Sequence, residues 1–170
     1  MSLDNILNTL FNLGFSKELV VITVSASPIV ELRGAIPLAI NKFGFSWHYA
    51  LPMAIAGNLI PVPFLLLFFG AISKRLSKIG IFKRWFHWLE ERTRRRGKIV
   101  ERYKRIGLVL FVAIPLPVTG AWTGSIAATI FEIRFKHALL SIFIGICIAG
   151  AIVTSGCLFG WPLFEKWLLG

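Results

Sequence analysis

Glu31 and Arg33, two residues apart, put an acid and a base inside an apolar stretch that begins at Leu19. Ionisable groups at membrane depth cost roughly 2.5–3.5 kcal/mol each on insertion scales, so a chain that keeps them there usually uses them. Arg33 is suited to an anion, because its guanidinium matches phosphate oxygens in a bidentate fork. Glu31 suits proton coupling, gating, or neutralising Arg33 while the site is empty. The alternative is a pair that only ties down a turn. In a regular helix the two side chains diverge by about 200°, and i,i+2 pairs do not meet. Either the backbone is irregular here or each has its own partner, and Gly34 and Pro37 alongside favour irregularity.

The first turn is read from Pro28 to Pro37, and a second Pro- and Gly-rich turn, Pro115 to Gly124, carries no charge. Pro117, Thr119, Gly120, Trp122, Thr123 and Ser125 supply hydroxyls and free backbone amides there, ahead of a half-helix starting near Trp122, an end that favours anions. The hydroxyls either satisfy broken backbone or touch substrate. Gly120 with Gly124, and Gly156 with Gly160, are small-xxx-small pairs that let helices approach. Asn58, beside Gly57 and the Pro61-Val62-Pro63 kink, either bonds across to a hairpin or lines a path. Arg134 stands where it could guard the mouth of a headgroup site. His48 and His137 read as interfacial anchors. No His, Cys or carboxylate set has metal-ligand spacing, and Cys147 and Cys157, about 280° apart on a helix, read as packing residues. No Walker A loop, nucleophile elbow or HExxH occurs, so an enzyme, a catalytic residue, a metal or another cofactor is not expected.

The elements that would position these residues follow from hydropathy. The 170 residues are 56% hydrophobic, with a mean hydropathy of +0.74. Windows free of Asp, Glu, Lys and Arg run from Phe43 to Ser73, from Gly107 up to Glu132 and from His137 to Phe164, near or beyond the ~20 residues of a membrane span. Of the 19 Lys and Arg, 13 lie between residues 74 and 105 against three Glu. The basic excess is therefore a cytoplasmic marker between membrane segments and not a nucleic-acid surface. Within that segment, Ile79, Phe82, Trp85, Phe86 and Leu89 form the apolar stripe of a basic amphipathic helix.

Two halves flank this centre. A shift of 88 positions places Ala50-Leu51 on Ala138-Leu139 and Gly57 on Gly145, and a shift of 87 places Ala26 and Pro28 on Ala113 and Pro115. A dozen helical residues reach only ~18 Å, so each apolar piece ahead of a turn is read as one arm of a re-entrant hairpin. The expected fold is an all-α integral membrane protein forming one membrane domain, 1–170, built as an inverted-topology repeat. An interfacial amphipathic helix occupies 1–15. The first repeat, 17–72, comprises a re-entrant hairpin at 17–43 and a span at 47–72. The cytoplasmic basic segment covers 73–105. The second repeat, 106–160, comprises a hairpin at 106–132 and a span at 137–160, and a tail fills 161–170. This arrangement puts both termini outside and keeps Arg134 and Lys136 inside with the basic centre, as the positive-inside rule requires. A homodimer is expected, since two spans can hardly bury both turns.

With Glu31-Leu32-Arg33-Gly34-Ala35-Ile36-Pro37 in the first hairpin and Pro115 to Gly124 in the second, the chain resembles a prokaryotic family of small multidrug export proteins over about residues 17–160. Its two-hairpin plan is also similar to the DedA, or SNARE-associated (VTT), superfamily, whose bacterial members are implicated in undecaprenyl phosphate recycling and whose eukaryotic relatives are lipid scramblases. The resemblance matches Glu31 and Arg33 to the acidic and basic positions of the first motif, and Pro117, Thr119, Gly120 and Trp122 to the second. It departs from DedA proteins proper, which carry essential arginines in the second hairpin, where residues 107–131 here hold no charge. What it implies is a multi-pass flippase in the prokaryotic cytoplasmic membrane for an amphiphile with an anionic headgroup, such as a polyprenyl phosphate or phospholipid. The alternatives are a proton-coupled exporter of cationic amphiphiles using Glu31, and a scaffold binding anionic membrane lipids through residues 74–105.

Overall fold

A computed structural model describes residues 14–76, 104–115 and 119–160. Most of the expected interfacial helix at 1–15, the basic segment's core, Pro117 and the 161–170 tail lie outside the described residues. Every regular element among the described residues is helical. They are α1 (Lys17–Ala26), α2 (Glu31–Pro37), α3 (Trp47–Leu59), α4 (Pro61–Leu76), α5 (104–113), α6 (Ala121–Ile130) and α7 (Phe135–Ser155). Wider π turns extend α2 through Leu38–Lys42 and α7 through Gly156–Gly160.

Two stretches are long and apolar enough to cross a membrane: Trp47–Ala71, 25 residues of mean hydropathy 1.9, and Phe135–Gly160, 26 residues of 2.3. Only 33% and 39% of their most apolar windows are buried. The core helix of a water-soluble domain would be mostly covered. Here Phe64, Leu67, Phe68, Leu140, Phe143 and Ile148 stay exposed, which suits contact with lipid tails. The kink expected at Pro61-Val62-Pro63 is a one-residue break at Ile60, whose backbone stays helical with its N–H donating to the Ala56 carbonyl. Proline is tolerated at the start of α4 because the missing N–H falls in a first turn.

The chain divides into two compact units, Met1–Ile60 with Cys147–Gly170, and Pro61–Ile146. In the first, the Ser16 hydroxyl caps α1 by accepting from the Leu19 N–H at 3.2 Å. At the other end, Ser27 caps α1 with both its N–H and its hydroxyl on the Val24 carbonyl. The core joins Val20 and Val21 of α1 to Leu32, Ala35, Ile36 and Ala39 of the α2 segment and to Ala50 and Ala54 of α3, all 2% exposed or less. Small residues let α1 meet α3: Ser25 donates to the Ala54 carbonyl at 2.5 Å. A Cβ on Gly57 would lie 2.7 Å from the Ile22 carbonyl oxygen. Gly150, in the later part of α7, likewise leaves room for Leu51.

In the second unit α4 packs on α6, and Gly124 and Gly145 make room for Val112 of α5. Ala128, Ala138, Ile142 and Ile146 are fully buried. The local solutions of the first unit recur here. Gly145 stands against the Val109 carbonyl oxygen and Val112, as Gly57 stands against the Ile22 carbonyl oxygen and Ser25. The Ser46 carbonyl accepts from the Tyr49 and Ala50 N–H groups, and the Arg134 carbonyl from those of His137 and Ala138. Gly44 and Glu132 both adopt left-handed backbone, at φ 71° and 52°, just before α3 and α7 begin.

Candidate functional site

The first hairpin turns within four residues. Ala26 ends α1, Ser27 accepts from the Val30 N–H at 3.4 Å, and Glu31 already opens α2. The break expected to run from Pro28 to Pro37 is therefore confined to residues 27–30. Gly34 and Pro37 lie inside the helix. Pro37, which can donate no hydrogen bond, instead precedes the widening to i+5 spacing, in which the Phe43 N–H reaches the Leu38 carbonyl at 3.1 Å. Gly34 is required sterically, since a Cβ there would overlap the Val30 side chain.

The irregularity sits on Glu31 itself. Its φ is 53°, a left-handed conformation that costs a non-glycine residue roughly 1–2 kcal/mol. With Glu31 rotated out of helical register, its carboxylate meets the guanidinium two residues on, Oε2 to Nη2 at 3.3 Å. The Glu31 side chain is 4% exposed and that of Arg33 is 19%. The acid is thus sealed in while the base keeps an accessible edge. Leu32, Ala35 and Ile36 of the same helix are buried with Glu31. Strained backbone persists only where surrounding structure over-determines it, and it clusters at sites of function.

The second turn is built differently. Thr119 donates to the Ile114 carbonyl at 2.5 Å, and Thr123 to that of Gly120 at 3.4 Å. Ser125, fully buried, donates to the Ala121 carbonyl at 2.7 Å. Of the two roles open to these hydroxyls, the structure displays bonding to the local backbone. Gly120 caps α6 in an extended conformation, and Trp122 is half-buried on its first turn. Arg134 is exposed and caps α7 through its carbonyl.

Asn58 departs from expectation. It is 1% exposed, and neither Nδ2 nor Oδ1 has a hydrogen-bond partner. The bond from Asn58 to a hairpin is not made, because Gly57 and Ser25 bring α1 and α3 together through backbone and hydroxyl contacts instead. Thr154 Oγ1 is also buried without a partner, and nothing in its surroundings within the sequence marked it. Ser25 could have been noticed, as a small polar residue within an apolar run three residues before Pro28. His48 is exposed, with its Nε2 3.1 Å from the Ser46 hydroxyl. Both cysteines are free, and no cluster among the described residues could hold a metal ion.

The expected site residues thus fall in two groups. Glu31, Arg33, Gly34, Pro37 and Asn58 belong to the first unit, and Thr119, Gly120, Trp122, Thr123, Ser125 and Arg134 to the second. Chemically, the first group offers an ion pair with an accessible cation and a buried amide, and the second offers neutral, locally satisfied hydroxyls. No curated protein and no solved structure matches the chain. Residues 31–152 match the family described as "Putative small multi-drug export protein". That match begins at Glu31, just past the first turn, takes in the second turn and covers most of the sequence, so this apolar chain, helical in every described element, belongs to the small multi-drug export protein family and reads as a membrane protein.

Proposed function

We propose that the protein is a membrane transporter that moves an amphiphile with an anionic headgroup, a polyprenyl phosphate or a phospholipid, across the prokaryotic cytoplasmic membrane. The observation that carries this reading is the asymmetry of the ion pair, in which Arg33 is accessible and Glu31 is not. An incoming ligand meets the guanidinium first, and a guanidinium selects an anion. Glu31 neutralises Arg33 while the site is empty, and a headgroup phosphate replaces it. Displaced from Arg33, Glu31 is left as a buried carboxylate without that partner, and an unpaired buried charge is costly. This would tie transport to proton uptake.

The architecture we propose around the site is the inverted repeat, with each hairpin re-entrant, both termini outside and two copies per assembly. The recurrence of the Gly57 and Gly145 contacts, of the Ser46 and Arg134 caps and of the left-handed positions at 44 and 132 supports a repeat. Substrate sites of transporters built in this way commonly lie at broken helices, which suits the position of Glu31 at a helix start. The kinship with DedA proteins belongs to the same proposal.

A second reading is favoured by the family description: export of cationic amphiphiles in exchange for protons, with Glu31 as the exchanging carboxylate. The two are separated in proteoliposomes. Translocation of a polyprenyl phosphate that Arg33→Gln abolishes at matched insertion supports the anionic substrate. Efflux of a cationic dye that Glu31→Gln abolishes, with no lipid-phosphate movement, supports the other and removes the first.

A further inference from the structure

Asn58 lies at the end of α3, in the same unit as Glu31 and Arg33. Its amide is fully buried with both polar atoms unpartnered by protein. Each such atom carries a desolvation penalty that a leucine of similar volume would avoid. Thr154 shares the defect by one atom, but a helical threonine can rotate its hydroxyl onto the carbonyl of its own preceding turn. An asparagine amide needs two partners at once, a donor for Oδ1 and an acceptor for Nδ2. Acceptors around it are also freed: Pro61 and Pro63 carry no N–H, so the carbonyls of Gly57 and Leu59 receive no bond from the fourth residue on.

We infer that Asn58 is a ligand-contact residue whose amide edge takes the protonated phosphoryl face of a phosphomonoester headgroup. Nδ2–H donates to a phosphoryl oxygen, and Oδ1 accepts from the P–OH group. Arg33 supplies charge neutralisation and Asn58 supplies discrimination, because a phosphodiester of equal charge has no P–OH to donate. This inference rests on the anionic-headgroup reading above, and it names the headgroup class that the same site prefers.

The test uses the full-length protein in phosphatidylcholine nanodiscs with dodecyl phosphate as the monoester and a dialkyl phosphate as the diester. At about pH 5, below the second phosphate pKa of about 6, the two probes carry the same single charge. The wild type is expected to bind the monoester about ten-fold more tightly, the worth of one good hydrogen bond to a charged group. Asn58→Leu should erase that preference, weakening the diester, which loses only the Nδ2–H bond, less than the monoester, which loses both, and should raise the melting temperature, whereas a residue with a purely structural bond would lower it. Asn58→Ala, which leaves space in place of an apolar branch, should erase the preference too. Retention of the preference in both variants overturns the role of Asn58. Equal binding of the two probes by the wild type overturns it as well and leaves the anionic-headgroup reading standing. Binding of neither probe overturns both. Inorganic phosphate that displaces dodecyl phosphate at equal concentration, in an Asn58-dependent manner, supports the contact and assigns it to a free ion, which overturns the lipid as its source.

Discussion

The two helical hairpins share a construction and differ in chemistry. Each places a close-packed glycine of the following helix against the backbone of its first arm, Gly57 on Ile22 and Gly145 on Val109. Each then leads through a left-handed residue into a long apolar helix. In the first hairpin the turn is short, and the residue that opens the second arm is strained and pairs its buried carboxylate with a partly exposed guanidinium. In the second, threonine and serine hydroxyls close onto nearby carbonyls. The packing that the two hairpins share rests on small residues and not on charge, so it does not account for the charges of the first. Replacing a buried ion pair with apolar residues is often neutral or stabilising, which makes retention of this one an argument for use.

The strongest effect is expected where the hairpins differ chemically. Arg33→Gln should abolish headgroup-dependent transport, removing charge-assisted bonds worth about 1.5–3 kcal/mol, or roughly ten- to hundred-fold in affinity. Flux assayed in proteoliposomes checks it, and Ser125→Ala in the second hairpin serves as the variant expected to transport normally. If the two variants transport equally, the asymmetry between hairpins has no functional content.

The shared packing gives the next effect. Gly57→Ala should destabilise by about 1–3 kcal/mol, because the new methyl meets backbone on α1 at 2.7 and 3.0 Å. Gly145→Ala should cost at least as much, since its methyl meets the Val112 Cβ at 2.7 Å and the Val109 carbonyl oxygen and Val112 Cγ1 at 2.9 Å, and a Cβ cannot rotate away. Thermal unfolding in detergent compares the two, and a loss confined to Gly57→Ala would show that the hairpins do not pack alike.

Backbone strain gives a smaller contrast. Glu132→Gly, at an exposed position with φ 52°, should stabilise by up to about 1 kcal/mol, relief of left-handed strain partly offset by glycine's chain entropy. Glu31→Gly relieves the same strain but discards the carboxylate that pairs with Arg33, so its stability should rise less or fall. Equal gains at both positions, read from melting curves, would mean that the ion pair contributes nothing to the fold. The weakest effect is expected from Thr123→Val, whose 3.4 Å bond is worth at most about 0.5 kcal/mol, the low end for a hydrogen bond. A loss of transport in that variant at unchanged stability would give the second hairpin a substrate role.

Hydropathy, read along the chain, was enough for the helical class, the two long apolar helices and the neighbourhood of both turns, because these depend on composition and on Pro and Gly at fixed positions. The offset of 88 between Gly57 and Gly145 was legible for the same reason: a glycine required by close approach leaves its mark in the sequence. The extent of the first break was not legible. Gly34 and Pro37 look like helix breakers, yet Gly34 is demanded by the Val30 side chain and Pro37 is absorbed by a wider turn. Spacing alone offered two outcomes for Glu31 and Arg33, meeting through irregular backbone or finding separate partners. In the folded chain they meet, with Glu31 left-handed beside Leu32, Ala35 and Ile36, which the core buries. Which member of the pair is sealed and which is reachable, and that the Asn58 amide is buried without a partner, are likewise properties of the folded chain. Residue types along a chain set what chemistry is available, and burial by residues distant in sequence sets which of it a ligand can reach.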